Sequence, residues 1–161
     1  MAQADGRISR LRIMVTVALA LIVAIVPLPE ALRPARPDFL LLLVIYWSLS
    51  APRISGLSFA WLSGLAIDLL SGTVLGQHAL AFLVVAYLTH KFQLRMRIFP
   101  IWHQTLTVFM LIALYQFIVF WIDGIVGPGI TNWLRWLPVV TGALFWPVLV
   151  AVLDTWNRRR A

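Results

Sequence analysis

Asp68 and His78 are the residues whose types and spacing come nearest to chemistry in this chain. Asp68 is the one acidic residue well inside an apolar run, and a carboxylate near hydrocarbon is expensive unless it is paired or neutralised. The imidazole of His78, across a short turn, is its natural partner. Two readings of the pair stand: a proton-sensitive polar latch shaping an outward-facing pocket, with Trp61 also lining it, or a staple that holds two helices together. Other reactive constellations are missing from the sequence. Three dispersed histidines give no metal-ligand spacing, a single intramembrane aspartate cannot form an aspartyl dyad, and there is no phosphate loop or nucleophile elbow. The absence of cysteine removes thiolate ligands, thiol nucleophiles and disulfides together. The expectation is a protein that is not an enzyme, with no metal and no cofactor.

The elements that must position Asp68 and His78 are strongly apolar. Of 161 residues, 61% are hydrophobic and only 12% charged, with a mean hydropathy of +0.91. A water-soluble core needs a polar shell that this composition cannot supply. At roughly 20 residues per crossing, the chain has material for about six spanning helices in one all-α integral membrane domain. The spans are expected at about 13–28, 37–51, 54–70, 77–90, 98–122 and 137–153. The first begins after Arg7, Arg10 and Arg12 and closes at Pro27 and Pro29; no small-x-small cleavage site stands there, so a retained helix is expected rather than a signal peptide. The second has only 13 uncharged residues, Phe39 to Ala51, enough for about 20 Å of a roughly 30 Å hydrocarbon slab. It either spans, with Pro37 and Asp38 in its first turn, or re-enters. Pro52 and Arg53 join it tightly to the third, predicting a hairpin of helices 2 and 3. His90 to Arg97 reads as a polar turn after helix 4, Gly124 to Gly129 as irregular after helix 5, and Pro147 as a bend in helix 6.

Charge placement orients the bundle. The net charge of +7 comes from 13 basic and 6 acidic residues. With the N-terminus inside, Arg7, Arg10, Arg12, Arg53, Lys91, Arg95, Arg97, Arg158, Arg159 and Arg160 lie on the cytoplasmic side, and Arg33, Arg36 and Arg135 lie outside. Lysine and arginine resist translocation, so ten against three predicts six spans with both termini in the cytoplasm. Basic residues at span ends leave no basic surface with interleaved aromatics, which argues against nucleic acid. Trp47, Trp102 and Trp156 are expected near the inner interface, Trp121, Trp133 and Trp136 near the outer one, and Trp61 and Trp146 packed at mid-span.

Small residues supply candidate contact faces. Gly56, Ala60, Gly64, Asp68 and Gly72 recur every fourth residue and so form one ridge on helix 3; Thr16, Ala20 and Ala24 do the same on helix 1. Such ridges serve either internal packing or a partner's helix. The loop from Glu30 to Asp38 is a dense polar patch in a chain with few charges. Arg33, Arg36 and Asp38 there are candidates for meeting a partner or lipid headgroups, and Asp38 also stands where it would cap helix 2.

The segments Arg36-Pro37-Asp38-Phe39, Tyr46-Trp47, Gly64-Leu65, Asp68-Leu69 and Leu75-Gly76-Gln77-His78-Ala79-Leu80, in one register with Pro52, Gly56, Trp61 and Gly72, resemble the rod shape-determining protein MreD family over positions 33 to 80. Beyond residue 90 the likeness rests on length and hydropathy. The resemblance implies a non-catalytic subunit of the bacterial cell-elongation complex, integral to the inner (cytoplasmic) membrane and working with the single-span periplasmic scaffold MreC. The wider assembly it implies includes MreB, RodZ, RodA and a class B penicillin-binding transpeptidase, with peptidoglycan synthesis and cell shape as the outcome. The family is also similar in architecture to the six-helix substrate-capturing subunits of energy-coupling-factor transporters. In the partner-binding expectation, the ridge of helix 1 (Thr16, Ala20, Ala24) or helix 3 (Gly56, Ala60, Gly64) holds the MreC helix, and Arg33, Arg36 and Asp38 steer its juxtamembrane segment. The alternative is a small-molecule or lipid-binding subunit whose pocket is lined by Trp61, Asp68 and His78.

Overall fold

The computed structural model describes residues 2–127 and 132–158. Pro128 and Gly129 of the expected irregular segment, and Arg159 and Arg160 of the basic count, lie outside them, as do the side chains of Arg7 and Arg158. Among the described residues there are six α-helices and no strand: α1 (Ala2–Ile25), α2 (Phe39–Ser50), α3 (Leu57–Ser71), α4 (Gln77–Ile98), α5 (Ile101–Val126) and α6 (Leu137–Arg158). Short 3-10 turns cover Arg33–Ala35 and Trp133–Trp136.

The shortest helix is the centre. Every residue from Leu40 to Leu49 is buried, and with no polar face to leave outward the segment can be enclosed on all sides by its neighbours. Helix α2 packs against α1, α3, α4 and α6, and α5 completes the bundle against α4 and α6. Its 12 residues span about 18 Å, and a helix sheathed by neighbours need not match the thickness of its surroundings. The predicted hairpin of helices 2 and 3 is corrected in its packing: α3 lies chiefly on α4, and α2 is also held mainly by α4.

Several ends differ from expectation, each for a local reason. Helix α1 starts at Ala2 and carries its arginines as helix. Pro37 and Asp38 precede α2 rather than forming its first turn, with Asp38 as its N-cap. Gly56 is the N-cap of α3, so it stands before the ridge rather than on it. The expected turn at His90–Arg97 is helix: Lys91, Gln93, Leu94, Arg95 and Met96 are good helix formers, and α4 continues until Phe99, which Pro100 biases away from helical geometry. Pro100 likewise sits at the N-cap of α5. That helix absorbs Asp123, Gly124, Ile125 and Val126 and ends at Gly127. Helix α6 runs through Pro147 to Arg158. The turn between α3 and α4 needs backbone at φ +65° and +98°, which Gly72 and Gly76 supply.

Among the described residues, two helical stretches, Ile101–Val126 and Trp133–Asn157, are long and apolar enough to cross a membrane. Large apolar side chains are exposed around the periphery of α1, α3, α4, α5 and α6. Trp102, Trp121 and Trp133 stand exposed, whereas Trp47 is buried, correcting its expected place at an interface. Its indole N–H reaches Thr16 Oγ1 at 3.0 Å, which lets the polar edge of the ring stay inside.

Candidate functional site

Asp68 ends up as the cap of a helix that is not its own. Helix α4 begins after Gly76, a residue with no side chain to satisfy the free N–H groups of the first turn. The carboxylate of Asp68, from α3, takes that place: Oδ2 accepts the N–H of Gly76 at 2.9 Å and of Ala79 at 3.3 Å, and Oδ1 accepts the N–H of His78 at 3.0 Å. Oδ1 also accepts His78 Nδ1–H at 2.7 Å and the Thr73 hydroxyl at 3.0 Å. Five donors and the positive end of the α4 dipole compensate a carboxylate that is 1% exposed.

The cap requires close helices, and Gly64 supplies the approach. A Cβ on Gly64 would lie 2.3 Å from Ala79 Cα, closer than any real contact, so α3 and α4 touch backbone to backbone. Ala60 is buried on the same ridge. The ridge of helix 3 is therefore filled from within. So is that of helix 1, where Thr16 and Ala20 are buried and Ala24 packs on the core. Both small faces are turned toward this chain's own helices, α3 tightly onto α4 and α1 more loosely onto α2, with space left beside Ala20. Trp61 is corrected too. It is 38% exposed and does not line a pocket with Asp68 and His78, lying two turns, or about 10 Å of rise, down α3 from Asp68.

Around the same end of the bundle, Asp38 caps α2 by accepting the Leu41 N–H at 3.1 Å and takes the Tyr115 hydroxyl on its other oxygen at 2.8 Å. Arg36 donates to the Val26 carbonyl at 3.2 Å, tying the loop to the end of α1. A cavity of about 280 Å³ opens between these groups, with Arg33, Arg36, Asp38, His78, Tyr115 and Gln116 among its lining. Beside it Asp123 bonds Arg135 and accepts from Gln77 Nε2 at 2.5 Å. At the opposite end, Tyr46 donates to Asp154 at 2.7 Å and accepts from Asn157 at 3.0 Å, while Arg12 donates to Asn157 Oδ1 at 3.0 Å. Arg97 closes the C-terminus of α2 on the carbonyls of Leu49 and Ser50. His90 reaches the Ser55 carbonyl at 2.9 Å.

Sequence reasoning missed Gln77, Tyr115 and Gln116, and the Tyr46–Asp154–Asn157 group. Gln77 and Asp123 are 46 residues apart, so no local spacing marks their bond. Tyr46 and Asp154 are 108 residues apart, and nothing local marks such a pair.

Comparison with known proteins agrees with the earlier likeness and extends it. The family model for rod shape-determining protein MreD matches residues 6–155. The chain is 27% identical over 141 residues to rod shape-determining protein MreD of Haemophilus influenzae, covering 88% of this chain and 87% of that protein. No solved structure matches. The apolar helical bundle and a match over nearly its whole length place this chain in the MreD family of membrane-associated, rod shape-determining proteins.

Proposed function

We propose that this chain is a single six-span domain of the inner membrane, with both termini in the cytoplasm, that binds and orients MreC and so supports peptidoglycan synthesis along the cell wall. MreB, RodZ, RodA and a class B penicillin-binding transpeptidase complete the assembly in this reading, and membrane lipids bathe the rest of the surface. The excess of ten basic residues over three on alternate ends supports the threading. A non-catalytic role is supported by the use made of the buried carboxylate: both oxygens of Asp68 are occupied in holding α4, which leaves no free base there.

The observation that carries the partner reading is the outer face of α1. With its small residues turned inward, α1 presents Leu11, Met14, Ala18, Ile22 and Ile25 outward, all exposed. Positions 11, 18 and 25 repeat every seven residues, with Met14 and Ile22 beside them, the spacing on which another helix packs. The stripe ends beneath the loop that holds Arg33 and Arg36, where a juxtamembrane segment of the partner meets positive charge. Packing the single MreC helix there fixes the angle at which its periplasmic domain leaves the bilayer. Photo-crosslinking residues at Met14 and Ile22, with Phe117 on α5 as the control, test the assignment in cells. MreC is expected to be captured from both α1 positions and not from Phe117. Equal capture at all three, or none from α1, overturns it.

A further inference from the structure

We infer that the cavity at the Asp68 end, together with the cleft between α1 and α6, is a binding site for a membrane lipid with an anionic phosphate headgroup. Two adjoining spaces carry the inference. The cavity of about 280 Å³ has Arg33 and Arg36 in its lining, and among the described residues neither arginine pairs with a carboxylate. One guanidinium N–H of Arg36 is used on Val26, which leaves the others free to bind oxygen. The one carboxylate in the lining, Asp38, is engaged by Leu41 and Tyr115. Gln116 also lines the cavity; it is 8% exposed and its amide has no hydrogen-bond partner among the described residues. Facing this space, the amide has an N–H to offer, for which a phosphate oxygen is an acceptor.

The second space takes the tail. Ala20 and Phe39 line both the cavity and a cleft of about 320 Å³ that runs between α1 and α6, bordered by Leu19, Val23, Val148 and Val152. Those four are apolar, and Val23, Val148 and Val152 are exposed along the cleft. A cationic chamber that continues into an apolar slot matches an amphiphile, with phosphate oxygens on the arginines and a hydrocarbon chain along the valines. A free anion leaves the slot empty, and a fully apolar ligand leaves the arginines and Gln116 unmatched. The cleft opens on the α6 side of α1, at Thr16, Leu19, Ala20 and Val23, beside the stripe of Leu11, Met14, Ala18, Ile22 and Ile25 rather than on it, and binding is read on the purified chain alone.

The test is native mass spectrometry of the full-length protein released from nanodiscs of phosphatidylglycerol diluted in phosphatidylcholine. One phosphatidylglycerol per chain is expected to be retained in preference to the zwitterionic lipid. The pair Arg33→Gln and Arg36→Gln is expected to reduce that preference at least tenfold, and Val23→Trp, which fills the slot without touching the arginines, to do the same. On the wild-type protein, independent of any variant, diacylglycerol is expected not to displace the bound lipid. Retention unchanged in both variants overturns the proposal. So does loss in the arginine variant alone with displacement by inorganic phosphate, which marks a headgroup-only anion site. Crosslinking of MreC from Val23 overturns it as well, since a protein helix then fills the slot.

Discussion

Gly64 and Ala79 meet backbone to backbone, with no room between them for a methyl group. That contact sets the distance at which Asp68 reaches the first turn of α4, so packing and capping are one device. Gly64→Ala forces α3 away from α4 and is expected to destabilise by about 3 kcal/mol or more, beyond ordinary overpacking because backbone cannot rotate aside. Gly124→Ala on α5 is the internal comparison. Nothing lies within 4 Å of its added Cβ, and replacing a helical glycine there is expected to be neutral or stabilising by about 0.5–1 kcal/mol. Thermal unfolding in detergent reads both, and equal melting of the two variants is incompatible with the close approach.

A graded series at the cap separates a staple from a latch. Asp68→Ala strands the N–H groups of Gly76, His78 and Ala79 and is expected to cost the most, about 2–4 kcal/mol. Asp68→Asn keeps one acceptor oxygen and loses the charge at the helix N-terminus, so it falls between. His78→Ala removes one of five donors while its own backbone N–H still bonds, costing about 1 kcal/mol. A His78→Ala loss as large as that of Asp68→Ala in the same melting assay would falsify the staple and assign the work to the imidazole.

What could be read from the chain alone was whatever short spacing controls. The helical hydrophobic runs, the depth of Asp68 and the nearness of His78 follow from local order, since a short turn leaves little freedom. The capping role of Asp68 did not, although Gly76 before Gln77 left a helix start without a cap. The fate of the small ridges was not legible either. Thr16, Ala20, Ala60 and Gly64 look alike whether they meet a partner or another helix of the same chain, and only the three-dimensional order, with α2 enclosed, turns them inward. The end of α4 lies beyond the polar stretch because polarity alone does not break a helix: Lys91, Gln93, Leu94, Arg95 and Met96 are helix formers, and the helix ends only ahead of Pro100.

Asp38 joins two separate helices, and its two oxygens should be separable by experiment. Tyr115→Phe removes one hydrogen bond to a carboxylate and is expected to cost about 1–2 kcal/mol. Asp38→Ala loses that bond and the cap on Leu41 together, so its cost is larger. In a double-mutant cycle the two are expected to couple by about 1 kcal/mol or more, because they share one contact. Strict additivity in chemical or thermal unfolding would mean that the hydroxyl and the carboxylate act apart.

The threading can be read with single thiols, because the chain has no cysteine of its own. Leu94 is 72% exposed on the last turns of α4, beside Lys91, Arg95 and Arg97, and Leu32 is exposed in the loop beside Arg33 at the opposite end of the bundle. If three helices separate the N-terminus from Leu94 after α1, the loop at Leu32 faces the periplasm and the end of α4 faces the cytoplasm. Leu32→Cys is then expected to react with a membrane-impermeant maleimide in intact spheroplasts, and Leu94→Cys only after permeabilisation. The position of α2 is what the pair tests. Were this buried 12-residue helix to turn back without crossing, the cluster of Lys91, Arg95 and Arg97 would emerge beside Leu32, and both thiols would be labelled from the same side.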